Sequence, residues 1–191
     1  MVNQADSVRI TEFPIDPLFT NRWSPRSFLE KEVPNDILLS LFEAAKWAAS
    51  ANNLQPWKFI IARTEQVRKK FHSFILPGNL VWCQKAPVFA LILSEKTRDG
   101  KTIRTHAFDT GMASANLVLE ATNKGLVTHF MGGINLKLAR EVLNIPEQYE
   151  IHALLAIGYQ GEKESLPEDL QLREKPSGRK ELNEIVFEGS L

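Results

Sequence analysis

Three carboxamide side chains lie within four consecutive positions of this chain, which has 191 residues. Asn52, Asn53 and Gln55 occur in the stretch "AASANNLQPWKFI", between the end of a predicted helix and an apolar strand. Asn is a favoured turn residue, so the amides could simply form a loop. A carboxamide also offers both a donor and an acceptor, as a flat polar ligand with an alternating edge requires. The amides are therefore candidate ligand-binding residues.

A second group of polar residues lies near the start of the chain. Arg22, Ser24 and Arg26 alternate in "TNRWSPRSF", so an extended segment would present them on one face. Two guanidinium groups and a hydroxyl suit a phosphate dianion, although a solvated basic turn explains the same pattern. Flavin mononucleotide (FMN) combines such a phosphate with a ring whose pyrimidine edge alternates donors and acceptors. Together with Gly132 and Gly133 after a predicted strand, the two groups suggest this cofactor.

Other kinds of chemistry lack their usual motifs in this sequence. No G-x-G-x-x-G, G-x-x-x-x-G-K-[ST] or G-x-S-x-G pattern is present, and no histidine stands at metal-ligand spacing from another ligand residue. The histidines are His72, His106, His129 and His152. The single cysteine, Cys83, is more often a small packed residue than a nucleophile. If the protein is an enzyme, we expect an organic cofactor to supply its chemistry.

The composition is typical of a globular protein, with 43% hydrophobic residues and 23 Lys and Arg balanced by 23 Asp and Glu. This balance argues against a general nucleic-acid binder. The longest apolar run, "PVFALIL", is too short to span a bilayer, so no membrane partner is expected. The first residues, "MVNQADSVRI", contain no apolar signal region, and a single cysteine cannot form an internal disulfide. A cytoplasmic protein is therefore expected.

Hydrophobic periodicity predicts helices alternating with apolar strands, as in a layered α/β or α+β domain, without fixing the strand order. The predicted helices cover 33–50, 65–75, 106–123 and 136–144, and the predicted strands cover 57–62, 87–94, 126–131 and 151–159. The strand "PVFALILS" is apolar on both faces, which is typical of a central strand. Pro77-Gly78 is expected to close the second helix, and Gly125 the third. A polar tail, residues 161–180, precedes "LNEIVF", a last strand or short helix.

The chain resembles the nitroreductase family of flavin enzymes over about Asn21 to Val186. The motifs that carry this resemblance are "RWSPRSF", "SANNLQPWKF", "KAPVFALIL", "DTGMASANLVLEA", "MGGIN" and "LLAIGYQGE", in this order. The resemblance implies an α+β fold with a mostly antiparallel central sheet flanked by helices. It also implies one domain over residues 1–191 and an obligate homodimer. About 161–191 would form a C-terminal arm extended onto the partner subunit, with the flavin in the interface.

The resemblance also implies which residues bind FMN. The implied cofactor-binding residues are Arg22, Trp23, Ser24, Arg26, Asn53, Gln55, Gly132, Gly133 and Arg179. The first arginines and the serine would hold the phosphate, the ribityl chain or the nearby ring edge. Asn53 would bond the pyrimidine side, and the two glycines would bring backbone N–H groups close to the ring. Arg179 would add a phosphate contact to a flavin bound mainly by the other chain.

Some positions in the matched motifs depart from the family pattern or have a structural explanation. Trp23 stands where many members carry a polar or basic residue, and Ser177 where some carry Lys. The stretch 74–86 is shorter than in larger members, which leaves the substrate pocket undefined. Gln55 is equally well explained as a turn amide. Asp109 and Asn116 are expected to hold structure.

The function implied by the resemblance is an FMN-dependent reductase that uses NAD(P)H. Its acceptors would be nitroaromatics, quinones or related small molecules, reduced by a ping-pong mechanism with no catalytic side chain of the protein. A non-redox flavin-binding or flavin-handling protein on the same fold is the first alternative. Reduction of enones or halogenated aromatics is another, and an interaction domain without a cofactor is the last.

Overall fold

The structure of the chain, a computed structural model, describes residues 9–191. Most of the stretch that carries the expectation of no signal segment, residues 1–8, lies outside the described residues. In the described part of the chain, no helix is both long enough and apolar enough to cross a membrane.

A four-stranded sheet with only antiparallel neighbours forms the centre of the fold, in the order β1-β2-β6-β5. Its strands are β1 (Trp57–Ala62), β2 (Val88–Glu95), β5 (Val127–Met131) and β6 (Tyr149–Gly158), and β3 (Thr97–Arg98) and β4 (Lys101–Thr102) form a separate hairpin. The stretch "RDGK" is the bend of this hairpin, where Asp99 and Gly100 have φ of 51° and 73°. Because helices accompany an antiparallel sheet, the expected α+β class is confirmed.

Within residues 9–191 the four predicted helices are present in the expected order, together with three short helices that were not predicted. The helices are α1 (Pro17–Asn21), α2 (Asn35–Lys46), α3 (Glu65–His72), α4 (Pro77–Cys83), α5 (His106–Asn123), α6 (Leu136–Val142) and α7 (Glu168–Gln171). Pro77-Gly78 does not simply close a helix: Pro77 begins α4, because proline is well tolerated where the first N–H has no helical partner. "LNEIVF" begins as a single 3₁₀ turn, Leu182–Glu184, and not as a strand.

Strand β2 lies between two hydrophobic clusters, which explains its unbroken apolar sequence. Phe89, Leu91 and Leu93 pack on one side with Phe71 and Phe74. Val88, Ala90 and Ile92 pack on the other side with residues of α2 and α5 that include Leu38, Leu41 and Leu117. Successive side chains of a strand point to opposite faces, so a strand covered on both faces must be apolar throughout. The expectation of a central strand is confirmed.

The polar tail begins by packing on its own chain. Leu166 and Leu170 are buried in the first hydrophobic cluster. The carboxylate of Glu174, which is 6% exposed, accepts hydrogen bonds from the backbone N–H groups of Arg26 (2.7 Å) and Ser27 (2.9 Å). Residues 161–177 therefore belong to the body of the subunit and not to an arm, because apolar anchors and a buried carboxylate fix them there.

The end of the chain has a different character. Ile185, Val186 and Phe187 are 58%, 65% and 51% exposed. An exposed run of three large apolar residues is unusual on a protein surface that stays in water. The prediction that the tail contacts a partner subunit now concerns this segment only.

Candidate functional site

Three arginines from three separate segments lie together, and we call Arg9, Arg22 and Arg179 the arginine cluster. Arg9 donates from Nη1 to the carbonyl oxygen of Arg22 (2.6 Å) and from Nε to that of Ser177 (3.0 Å). Arg179 donates from Nη1 to the same Ser177 carbonyl (3.4 Å). Arg9 and Arg179 therefore share one carbonyl oxygen, and Arg9 also donates to the backbone carbonyl of the third arginine, Arg22. Arg9 was not a candidate in the sequence, because no local motif marks it.

The charges of the arginine cluster oppose one another. Burial lowers the pKa of Arg22, and the charge of Arg179 lowers it further. Burial likewise lowers the pKa of Arg9, followed by the charges of Arg179 and Arg22. Within residues 9–191, none of the three forms a salt bridge with a carboxylate. Like charges gathered around neutral carbonyl groups favour the binding of an anion.

Of the other residues in the arginine motif, Ser24 lies with the cluster and Arg26 turns elsewhere. Arg22 donates from Nη1 to Oγ of Ser24 (3.3 Å). The guanidinium of Arg26 lies 3.9 Å from the carboxylate of Glu174. Burial lowers the pKa of Arg26, as does the charge of Arg173, whereas Glu174 raises it. The prediction of three side chains on one face therefore applies to Arg22 and Ser24, which contact each other. The side chain of Arg26 lies near Glu174 instead.

His129 on β5 lies beside the arginine motif and was not predicted to belong to the site. Its Nδ1 lies 3.0 Å from the carbonyl oxygen of Pro25, so Nδ1 carries the proton and donates. Its ring packs on Trp82, with 4.5 Å between ring centroids. Burial is the main cause of its lowered pKa, and the charges of Arg26 and Arg22 add to the effect. A neutral His129 thus fixes the backbone that carries the arginine motif.

Gly132 and Gly133 follow β5 and differ in their surroundings. A Cβ atom on Gly132 would meet no atom within 4 Å, so the backbone there is open to approach by a ligand. A Cβ atom on Gly133 would lie 2.5 Å from the side-chain nitrogen of Asn79. Gly133 also accepts hydrogen bonds at its carbonyl from Leu76 N (3.0 Å) and Asn79 Nδ2 (3.2 Å). Gly132 fits the role of a ligand-facing glycine, while a side chain at Gly133 would require the flexible side chain of Asn79 to move.

The stretch Asn52–Gln55, which we call the amide loop, is strained and exposed. Asn52, Asn53 and Gln55 have φ of 49°, 55° and 48°, in the left-handed region that Asn tolerates better than most residues. Gln55 Nε2 donates to Oδ1 of Asn53 (3.0 Å), which orients that carboxamide. Backbone strain of this kind persists only where the surrounding structure enforces it.

The amide loop is anchored by a buried carboxylate on α5. Oδ2 of Asp109, a residue that is 2% exposed, accepts from the backbone N–H of Ala51 (3.2 Å) and from Oγ1 of Thr105 (2.8 Å). Asn116, further along α5, donates from Nδ2 to the carbonyl of Ala44 at the end of α2 (3.3 Å). Both residues hold structure, as the sequence indicated.

Helix α5 separates the amide loop from the arginine cluster. The loop is anchored at Asp109 in the first turn of α5. The segment that precedes Arg22 packs at the other end, where Asn21 and Asn123 line one cavity of about 510 Å³. Fourteen residues of helix at 1.5 Å per residue separate these ends by about 21 Å. One chain therefore does not bring the amides and the arginines into a single pocket.

Trp23 does not lie with the cluster either. Its side chain is 9% exposed and lines the same cavity between α1 and the end of α5, together with Asn21, Thr122 and Val127. Because Arg22 and Ser24 lie together on one side of the extended segment, Trp23 between them points to the other side. The structure gives the side chain of Trp23 a packing role, and its contact with the cofactor stays a prediction.

This fold and these sites occur in a known class of α+β proteins. A model of the nitroreductase family matches residues 19–82 and 76–159. The matched ranges contain the arginine motif, the amide loop and the glycine pair. The chain belongs to the nitroreductase family.

Individual relatives agree with this assignment. A crystal structure described as "the oxidoreductase containing FMN" is 38% identical, covers 100% of this chain and 98% of that chain, and superposes with a TM-score of 0.92. A "Putative NADH dehydrogenase/NAD(P)H nitroreductase" of Archaeoglobus fulgidus is 25% identical over 74% of this chain and 82% of its own length. An "Iodotyrosine dehalogenase 1 homolog" of Caenorhabditis elegans is 26% identical over 81% of this chain and 56% of its own length.

Proposed function

We propose that this protein is an FMN-dependent oxidoreductase that takes electrons from NAD(P)H and reduces nitroaromatics, quinones or related small acceptors. The observation that carries the proposal is the arginine cluster, three cations whose described partners are neutral oxygens. A phosphate monoester is the anion that such a group of guanidinium forks suits best. When bound, the flavin supplies the electron transfer, and the chain supplies binding and orientation.

All of the predicted site residues except Trp23 and Gly133 receive a role in this proposal. Arg22 and Arg179 bind the phosphate, and Ser24 contacts the ribityl chain beside it. Arg26 stands apart from the cluster, which fits the alternative role at the ring edge. Gly132 leaves its backbone open to the ring, since nothing within 4 Å would meet a Cβ atom there. Asn53, oriented by Gln55, pairs with the pyrimidine edge.

The distance between the two groups leads us to include a second copy of the chain. A cofactor that contacts both the arginine cluster and an amide loop fits best between two subunits, with Asn53 donated by the partner copy. Large apolar side chains beside the amide loop support this arrangement: Trp47 is 76% exposed and Phe108 is 72% exposed. Both would be covered in a symmetric dimer. The proposal therefore includes a homodimer with the flavin in its interface.

Two lengths of the chain test the dimer. The full-length protein should scatter light as a dimer at micromolar concentration. Deleting 181–191 removes Ile185, Val186 and Phe187 but leaves the packed residues 161–177 and Arg179 in place, so the subunit should fold. We expect this truncated chain to form weaker dimers and to retain less flavin. A truncated chain that dimerises and retains flavin like the full-length protein would show that the end of the tail has no part in the dimer.

Anaerobic mixing of the flavin-loaded protein with NADH or NADPH tests the redox function. Rapid loss of the flavin absorbance band is expected, followed by its return when a nitroaromatic or a quinone is added. A flavin that binds tightly but is not bleached by either nucleotide would favour the non-redox flavin-handling alternative. A full-length protein that binds no FMN would favour an interaction domain without a cofactor. The proposal also includes a cytoplasmic location, where reduced nicotinamides are available.

Steady-state kinetics test whether donor and acceptor use the same place. Double-reciprocal plots at several acceptor concentrations should give parallel lines, as expected when one substrate leaves before the other binds. Intersecting lines would mean that both substrates bind together, and the ping-pong part of the proposal would be abandoned.

Reductive dehalogenation is the second candidate function. The similarity to the iodotyrosine dehalogenase homologue favours it, although this chain spans little more than half the length of that protein. A screen that compares a nitroaromatic, a quinone, an enone and an iodinated phenol at equal concentrations separates these possibilities. Halide release with the iodinated phenol, at a higher kcat/KM than the other acceptors give, would select dehalogenation.

A further inference from the structure

The arginine motif near Arg22 and the basic residue near the chain end were both marked by the sequence, whereas Arg9 was not. The contacts of Arg9 suggest a specific purpose. Its guanidinium lies between the end of α1 and the tail, where it donates to the carbonyl oxygens of Thr20 (2.8 Å), Arg22 (2.6 Å) and Ser177 (3.0 Å). It therefore joins the end of α1 to the tail, and its partner Ser177 is 168 positions away from it in sequence.

These bonds use only part of the donor capacity of Arg9. A guanidinium has five N–H groups. Nε supplies one and Nη1 supplies two to the three carbonyl groups, so the two N–H groups of Nη2 have no partner among residues 9–191. A pair of donors on a fixed guanidinium can bind an oxyanion. The anchored position means that little further side-chain freedom is lost on binding.

The neighbours of Arg9 show where such an anion would lie. Arg179 donates to the same Ser177 carbonyl as Arg9. The backbone carbonyl of Arg22 accepts another hydrogen bond from Arg9. If Arg9 only joined the two segments, an uncharged donor could take its place, because all three of its partners are neutral carbonyl oxygens. Placing a third charge beside two others instead costs free energy through mutual repulsion. Burial is the main cause of the lowered pKa of Arg9, and the charges of Arg179 and Arg22 lower it further. An anion shared by the three cations would offset this cost.

We propose that Arg9 is the third cation of a phosphate-monoester site and that it also holds Arg22 and Arg179 in register. This inference rests on the proposed function and deepens it, because it assigns to Arg9 the preference for FMN over riboflavin, which has the same ring but no phosphate. The preference for the phosphorylated form would thus depend on a residue outside every motif of the sequence.

Titration of the full-length, flavin-depleted protein with FMN and with riboflavin tests this role by quenching of flavin fluorescence. Arg9→Gln should weaken FMN binding by about tenfold or more, as expected for one charge-assisted contact, and change riboflavin binding by less than about twofold. Arg9→Lys keeps the charge, so its FMN affinity should lie between that of Arg9→Gln and that of the wild type. Arg98→Gln, which removes a surface guanidinium paired with Glu95, is the matched control and should change neither affinity.

The outcomes separate the inference from the proposed function. Equal losses for FMN and riboflavin in Arg9→Gln, accompanied by a lower melting temperature, would show that Arg9 only joins the two segments and would overturn the inference. An unchanged ratio of the two affinities would overturn it as well. A wild-type protein that binds neither flavin would instead refute the proposed function itself.

Discussion

The amide loop and the arginine cluster are built in opposite ways. The amide loop is a short stretch in which the three carboxamide residues have left-handed backbone, and bonds within the loop and one buried anchor, Asp109, fix it. The cluster draws on three segments, and its bonds link residues that are 13 and 168 positions apart. The loop is therefore sensitive to changes in one helix. The cluster depends on how the N-terminal segment and the tail dock on each other.

Substitutions in the two regions should have different effects on flavin binding. Losing one bond in the amide loop should misplace a carboxamide, which is a neutral contact. Losing one member of the arginine cluster removes a charge that acts on an anion, and such contacts are stronger. Variants in the cluster should therefore affect FMN more than riboflavin, while variants in the loop should affect both flavins equally.

The largest effect is expected for Arg22→Ala. A hydrogen bond to a charged group contributes about 1.5–3 kcal/mol, so the dissociation constant for FMN should rise by roughly 10- to 150-fold. Riboflavin binding should change little. Fluorescence titration measures both constants, with Arg98→Ala as the control for a change in net charge. An FMN affinity equal to that of the wild type would remove Arg22 from the phosphate site.

Asp109→Ala should disturb the other region. The backbone N–H of Ala51 and the hydroxyl of Thr105 would lose a buried acceptor, at a cost of about 1–3 kcal/mol in the free energy of unfolding. Urea denaturation measures this cost, and both flavins should then bind more weakly by the same factor. Asn116→Ala, on the same helix but bonded to Ala44, is the control that should destabilise without a specific effect on flavins. A selective loss of FMN in Asp109→Ala would contradict the division between the regions.

A smaller effect is expected for Gln55→Ala. The side chain of Gln55 donates a neutral hydrogen bond to the carboxamide of Asn53. Such a bond contributes about 0.5–1.5 kcal/mol, so the affinity for both flavins should fall by roughly two- to tenfold. Asn53→Ala should lower the affinity for both flavins at least as much, because it removes the proposed contact itself. If Asn53→Ala lowers flavin affinity and Gln55→Ala does not, Gln55 is only a turn amide.

The smallest effects concern pH and distinguish the two ends of the sheet. Burial lowers the pKa of His129, beside the arginine motif, and of His152, which bonds Ser94 opposite Trp57. The unfolded chain then binds protons more readily than the folded chain. The stability should be constant above about pH 6.5, the ordinary pKa of histidine, and should fall as the pH drops below it.

Single substitutions divide this pH dependence between the regions. His129→Gln and His152→Gln should each make the loss of stability below pH 6.5 shallower, as measured by urea denaturation between pH 5 and 8. Only His129→Gln should also weaken flavin binding, because it releases the carbonyl of Pro25 within the arginine motif. Unchanged pH slopes in both variants would mean that these histidines are not the source of the effect.

The sequence predicted most elements because their patterns are local. The unbroken apolar run of β2 predicted that this strand is buried on both faces. The small-residue pattern of α5 and the Gly125 that follows it predicted the position of this helix correctly. Helix α4 was not predicted, because the Pro77-Gly78 pair at its start is equally typical of a turn. The order β1-β2-β6-β5 is a matter of pairing between distant segments, and no periodicity specifies it.

The residue types of the candidate site were likewise readable from the sequence alone. The alternation of Arg22 and Ser24, the amides and the glycine pair each occupy a few consecutive positions, and local spacing is sufficient to mark them. Only the tertiary structure decided that Arg9 joins Arg22 and Arg179, that Asp109 anchors the amide loop and that Glu174 draws Arg26 aside. Each of these contacts joins residues far apart in the chain, and which distant segments meet is decided by the packing of the whole core, which no short stretch of sequence contains.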